Sequence, residues 1–327
     1  MSYLLVLGGL LLLLGGGEVL VRGAVALATR LSISPVFIGL TVLAIGTSMP
    51  ELTVAIDSAL RGAPDIAVGS IVGSNISNIL LVLGATALVQ PVVCQPRMVF
   101  RDGLFLLAVS FALAMLALTG MLTAGQGLAM LVLLVLYVGY SYWAEVVRHA
   151  PSSERREAEV EEYRGIPPTF LVSIPAIVLG LAGVVAGADM LVTGASDIAR
   201  TAGISEAVIG LSLVAVGTSL PELAISVLAA WRGHAGIAVG NIIGSNISNI
   251  LLILGATAAL GDVPIADQIA RYDVWIMVAA TTAMVPVMIS GLKINRGEGV
   301  MFLAAYALYI GSIFTGVPQT VMEILYG

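Results

Sequence analysis

Two glutamates stand in surroundings that should not hold a charge. Glu51 lies in GLTVLAIGTSMPELTV (39–54) and Glu222 in GLSLVAVGTSLPELAI (210–225), 171 residues further on. Each follows a proline directly and has a Thr-Ser pair just before it, Thr47–Ser48 and Thr218–Ser219. A second pair of runs keeps the same spacing, IAVGSIVGSNISNILLVLGAT (66–86) and IAVGNIIGSNISNILLILGAT (237–257), with only three differences. These supply Ser74, Asn75 and Asn78 in one copy and Ser245, Asn246 and Asn249 in the other. Polar groups at membrane depth are costly and are retained for function. Two matched sets point to one shared site assembled by two halves of a duplicated chain.

The chemistry follows from the residue types. Pro50 has no amide hydrogen, and its ring clashes with the carbonyl four residues back. Carbonyls near Gly46 and Thr47 then need another partner, and a cation can be that partner. The hydroxyls of Thr47 and Ser48 and the Glu51 carboxylate lie within a turn of the break. Thr218, Ser219, Pro221 and Glu222 repeat the arrangement. A plain kink with each glutamate paired to an arginine is the competing reading, yet no Arg or Lys lies mid-way along any apolar stretch.

In the asparagine-rich runs Ser74 and Asn78, like Ser245 and Asn249, are four apart and share a helix face. Asn75 and Asn246 point about 100° away from the preceding serine. The first four are expected to face the site. Asn75 and Asn246 are expected to bond to backbone, with Gly69, Gly73 and Gly84 allowing close helix approach. Hard oxygens with no His or Cys nearby suit Ca²⁺ or Na⁺, not Zn²⁺ or Cu²⁺. Two carboxylates balance one Ca²⁺ or two Na⁺, and amide oxygens can hold further Na⁺ without adding charge.

These motifs need a scaffold, and the composition says what kind. The chain has 327 residues, 59% hydrophobic and 10% charged, with a mean hydropathy of +1.05. Soluble domains carry about 25% charged residues, so this is a polytopic membrane protein whose partner is the lipid bilayer. The net charge of −6 comes with no basic cluster, which speaks against nucleic acid; no protein partner or cofactor is evident. Cys94 is the sole cysteine, which excludes an intramolecular disulfide and a thiolate metal cage. His149 and His234 fall at loop edges as interfacial residues. The N-terminus lacks a basic n-region and a cleavage site and reads as the first span.

Ten apolar segments reach the ~20 residues a spanning helix needs. They lie near 3–27, 34–60, 65–89, 99–119, 122–147, 168–197, 205–231, 236–260, 273–291 and 298–316. The fold expected is all-α, ten transmembrane helices in two five-helix repeats, 1–147 and 167–327, joined by a charged linker at 148–166. The offset of 171 also matches Glu18 with Asp189, Gly23 with Gly194, Arg61 with Arg232 and Asp102 with Asp273. Five spans per half is odd, so the second half enters the membrane inverted. Placing both termini outside puts eleven of the fourteen Lys and Arg residues on the cytoplasmic side, the arrangement the positive-inside rule favours. Glu18 and Asp189 either line an ion path or face the interfaces. Asp57, whose counterpart is Leu228, reads as an interfacial residue near Arg61.

GTS-x-PE followed by GSN-I-x-N, present in both halves, resembles the α-repeats of the sodium/calcium exchangers of the cation/Ca²⁺ exchanger superfamily, closest to its compact prokaryotic members. The resemblance covers the whole chain in architecture. It implies a core of spans 2, 3, 7 and 8, a mobile pair of spans 1 and 6, and no enzymatic activity. The implied activity is secondary antiport of Ca²⁺ against Na⁺ across the cell membrane, electrogenic and directed to Ca²⁺ extrusion. The implied ligands are Ala44, Thr47, Ser48, Glu51, Ser74 and Asn78, with Ala215, Thr218, Ser219, Glu222, Ser245 and Asn249. Potassium-dependent relatives carry Asp where this chain has Asn249, and proton-coupled relatives depart from GTS-x-PE; both remain as alternatives. A passive cation channel is the reading from another class, but inverted repeats with broken helices suit alternating access better. No G-x-x-x-x-G-K-[ST] loop is present, which argues against an ATP-driven pump.

Overall fold

Long runs of Leu, Val, Ile and Ala must satisfy their own backbone in lipid, and a helix does so internally. The computed structural model describes residues 1–62, 64–148, 167–202, 217–318, 320 and 323. The helices are α1 (Ser2–Leu31), α2 (Pro35–Thr47), α3 (Met49–Leu60), α4 (Ile66–Val89), α5 (Val99–Ala117) and α6 (Ala124–Glu145). After the linker come α7 (Phe170–Thr201), α8 (Leu220–Trp231), α9 (Ala235–Ala259), α10 (Ile269–Leu292) and α11 (Arg296–Phe314). Among the described residues, eight of these are long and apolar enough to cross a membrane, and α2 with α3 makes a ninth span, broken at Ser48. The expected span at 205–231 is represented by α8. Its first part, to residue 216, and the linker at 149–166 lie outside the described residues.

Two compact units emerge, Met1–Thr47 with Val138–Asn241, and Ser48–Tyr137 with Ile242–Gly327. Their boundaries fall inside α6 and α9 and at the α2–α3 break, so each unit draws on both halves of the sequence.

In the first unit α1 packs along α7. A Cβ on Gly9 would lie 2.6 Å from the Gly187 carbonyl oxygen, and one on Gly16 would lie 2.9 Å from that of Gly180. As numbers rise along α1 they fall along α7, so the helices run antiparallel. Glycine recurs every seventh residue in both (Gly9, Gly16, Gly23; Gly180, Gly187, Gly194), giving each a smooth stripe for close backbone approach. Leu20, Val21, Val184, Ile225 and Ala229 close the core around this contact.

In the second unit short antiparallel strands tie loop to loop. β1 (Val92–Val93) pairs with β4 (Lys293–Ile294), and β2 (Met121–Leu122) pairs with β3 (Val263–Pro264). Gly84 meets Gly299 on α11, while their counterparts Gly255 and Gly127 meet each other on α9 and α6. The sequence offset changes here. Gly120 and Gly291 match at 171, each with left-handed φ (76° and 75°), and then Leu292 is inserted with φ 52°. Beyond it the spacing is 172, which aligns Tyr137 with Tyr309. Each of these tyrosines donates to a buried aspartate of its own repeat, Tyr137 to Asp102 at 2.8 Å and Tyr309 to Asp273 at 3.1 Å. The inserted residue hides this second match from a fixed-offset comparison.

Candidate functional site

The proline breaks form as the residue types demand. Ser48 (φ −83°, ψ 7°) and Ser219 (φ −87°, ψ 2°) leave the helical conformation, and α3 and α8 begin directly after them with Pro50 and Pro221 in their first turns. Proline is tolerated there because the first amides of a helix have no carbonyl partner. Glu51 and Glu222 fall in those same first turns, where the helix dipole favours negative charge. Both carboxylates are buried, at 2% and 0% exposure. Among the described residues, arginines form ion pairs with Glu18, Asp57, Asp102, Asp197 and Asp267.

In the first unit the turn Ala44–Thr47 packs against α8. Ala44, Thr47, Ser219 and Glu222 are buried and Thr218 is half-buried. The Thr47 hydroxyl donates toward the Ala44 carbonyl (3.3 Å) and Asn241 Oδ1 (3.4 Å). Ala215, expected among the ligands, lies outside the described residues.

In the second unit α3 packs on α4 and on the stretch Asn249–Leu254 of α9, and Ser48, Glu51, Ser74, Asn78, Ser245 and Asn249 are all buried. The asparagine-rich runs interlock across the repeats. Asn75 Nδ2 donates to the Asn246 carbonyl (3.4 Å), and Asn249 Nδ2 donates to Asn75 Oδ1 (3.0 Å). Asn246 Nδ2 donates to the Ile242 carbonyl at 2.7 Å. Asn75 and Asn246 therefore bond to backbone, as their helix positions suggest. Asn75 does something more by holding the nitrogen of Asn249. Among the described residues, Asn78 Oδ1, Asn249 Oδ1 and Ser219 Oγ are buried without a hydrogen-bond partner. A buried amide oxygen with no donor is costly and is the group a hard cation would satisfy. Asn78 and Asn249 each open a wider π-type turn, Asn78–Val82 and Asn249–Leu254, a distortion that recurs at functional positions.

Several charged residues outside the motifs are engaged in pairs. Glu18 binds Arg22, and Arg232 Nε donates to its other oxygen at 3.0 Å. Asp57 pairs with Arg61 at 2.7 Å. Asn241 and Ser226, both fully buried and bonded to each other, were not candidates from the sequence.

A multi-pass helical membrane protein with duplicated helix breaks, each with a buried carboxylate in the first turn of the restarted helix, and with buried amide oxygens lacking a donor, belongs to a class built to handle hard cations. The family described as sodium/calcium exchanger protein matches residues 1–143 and 172–315, and the chain belongs to that family. It is 39% identical over 315 residues to CaxA from Alkalimonas amylolytica, covering 95% of this chain and 98% of that protein. It is 32% identical over 344 residues to the sodium/calcium exchanger MaX1 of Methanosarcina acetivorans, covering 96% and 98%. Among solved structures it resembles the sodium-calcium exchanger NCX_Mj soaked with Na⁺ and Sr²⁺. That match has a TM-score of 0.81 and 32% identity, covering 95% of this chain and 99% of the other.

Proposed function

We propose that the protein is a secondary antiporter that exchanges Ca²⁺ for Na⁺ by alternating access, with both ions taking the same oxygen cage in turn. The observation that carries this is the pair of buried carboxylates, Glu51 and Glu222, each at a proline-started helix N-terminus. Family membership, and the similarity to the sodium/calcium exchangers MaX1 and NCX_Mj, point to the same two ions. The proposed ligands are Ala44, Thr47, Ser48, Glu51, Ser74 and Asn78 with Ala215, Thr218, Ser219, Glu222, Ser245 and Asn249. The unpartnered Oδ1 atoms of Asn78 and Asn249 support this set. The same reading makes 1–147 and 167–327 inverted five-span repeats around the linker 148–166, ten spans in all, with both termini outside the cell membrane. The antiparallel course of the matched helices α1 and α7 supports inversion.

Two carboxylates balance the charge of one Ca²⁺, and neutral amide and hydroxyl oxygens can take a Na⁺ beyond two. Exchange of more than two Na⁺ per Ca²⁺ moves net positive charge with Na⁺. An inside-negative potential contributes about 2.3 kcal/mol per 100 mV for each charge moved and so drives Ca²⁺ out. The test is ⁴⁵Ca²⁺ uptake into proteoliposomes loaded in parallel with Na⁺, K⁺ or acidic buffer. Uptake in the Na⁺-loaded vesicles alone is expected. Uptake driven equally by the acidic interior, or needing K⁺, would replace this coupling with another, and uptake independent of all three would indicate a channel.

A further inference from the structure

The two asparagine-rich runs differ at three positions, and one of the differences is chemical: Asn241 stands where the first repeat has Ser70. Its spatial neighbour differs as well, since Ser226 stands where the first repeat has Ala55. The Asn241 amide nitrogen donates to Ser226 Oγ at 3.2 Å, and its Oδ1 faces the Thr47 hydroxyl at 3.4 Å. That hydroxyl also lies 3.3 Å from the Ala44 carbonyl oxygen. Two long distances to two oxygens describe one proton shared between them. Ser70 makes no such bridge; its hydroxyl turns back to the Ala67 carbonyl of its own helix at 3.0 Å.

A threonine hydroxyl has one proton and two lone pairs. With its proton directed at Ala44 and Asn241, the Thr47 hydroxyl is held in one rotational setting, and that setting decides where its lone pairs point. In this arrangement Nδ2 donates to Ser226, and Oδ1 lies on the threonine side. We propose that Asn241 is a positioning residue of the cation site: braced by Ser226, it orients the Thr47 hydroxyl. The paired replacement of Ser70 and Ala55 by Asn241 and Ser226 then makes the two repeats unequal as suppliers of ligands. This rests on the antiport reading, in which Thr47 is a ligand.

The test is a double-mutant cycle on the full chain, with Asn241→Leu, Thr47→Val and both together, read by equilibrium ⁴⁵Ca²⁺ binding and its displacement by Na⁺. Thermal unfolding in detergent checks that each variant folds. Asn241→Ser, which installs the first repeat's own residue, replaces Asn241→Leu if the latter does not fold. Loss of one hydrogen bond's worth of orientation weakens Ca²⁺ binding about tenfold in Asn241→Leu. In the Thr47→Val background the same change has less than about a twofold effect, since the group it positions is gone. Asn241→Asp, which keeps an acceptor toward Thr47, is expected to recover binding. Equal losses in both backgrounds, or unchanged binding in folded Asn241→Leu or its substitute Asn241→Ser, would overturn the proposal. Wild-type protein that binds neither cation would instead sink the antiport reading, and this proposal with it.

Discussion

At the scale of single residues, Glu51 and Glu222 carry the charge that a divalent cation would need. Each is buried, and each lies one residue after a proline that starts a helix. Glu51→Gln or Glu222→Gln keeps shape and removes one charge from a site that must balance a divalent ion. Breaking a buried charge pair costs about 3–5 kcal/mol, so Ca²⁺ uptake by either variant should fall more than ~100-fold. Near-normal uptake by both would remove these residues from the site. These glutamates were legible because the sequence states them twice, in apolar stretches with no Arg or Lys mid-way along them. The same duplication exposed Ser74, Asn78, Ser245 and Asn249. Asn241 escaped notice for the opposite reason: its role depends on departing from the repeat, and Ser226 is distant in sequence. Tyr309 escaped because Leu292 shifts the register by one residue.

At the scale of elements, helix positions were legible from apolar runs, since each run must be a helix to satisfy its backbone in lipid. How helices face one another was less legible. The stripe Gly9, Gly16, Gly23 has the look of a helix contact, yet only the structure pairs it with Gly187 and Gly180 on α7. This contact makes a sharp comparison of neighbours. A Cβ on Gly16 would lie 2.8 Å from the Val184 amide nitrogen, whereas one on Gly15 meets nothing within 4 Å. Gly16→Ala should therefore lose about 1–3 kcal/mol to overpacking, and Gly15→Ala should lose little, as read by thermal unfolding in detergent. Equal behaviour of the two would contradict the α1–α7 contact.

Cys94, between β1 and α5, tests the loop region of the second unit. Its amide donates to the Leu292 carbonyl at 2.8 Å, and burial pushes its thiol up to about 12. The thiolate is the reactive form, so the folded protein should react with maleimide at pH 8 at least ~10-fold more slowly than the denatured chain. As pH rises past the ordinary thiol value, the unfolded chain ionises first. That shift favours unfolding, and labelling should then climb with loss of structure. Rapid labelling of folded protein at pH 8 would mean that the β1–β4 pairing does not seal this loop.

At the scale of the whole molecule, the family, the helical architecture and two matched helix breaks converge on antiport of Ca²⁺ against Na⁺. The charge count predicts voltage sensitivity. In Na⁺-loaded vesicles an inside-positive potential, set with K⁺ and valinomycin, should speed Ca²⁺ uptake, and an inside-negative one should slow it. Indifference to potential would make exchange electroneutral and the count of Na⁺ wrong. The central claim, that one cage serves both ions in turn, is tested most directly by following ²²Na⁺ efflux and ⁴⁵Ca²⁺ uptake in the same vesicles, for wild type and Glu51→Gln. Wild type is expected to move more than two Na⁺ outward for each Ca²⁺ inward, and both fluxes should collapse together in the variant. Fluxes that persist independently, or Na⁺ efflux that survives in the variant while Ca²⁺ uptake is lost, would contradict that claim.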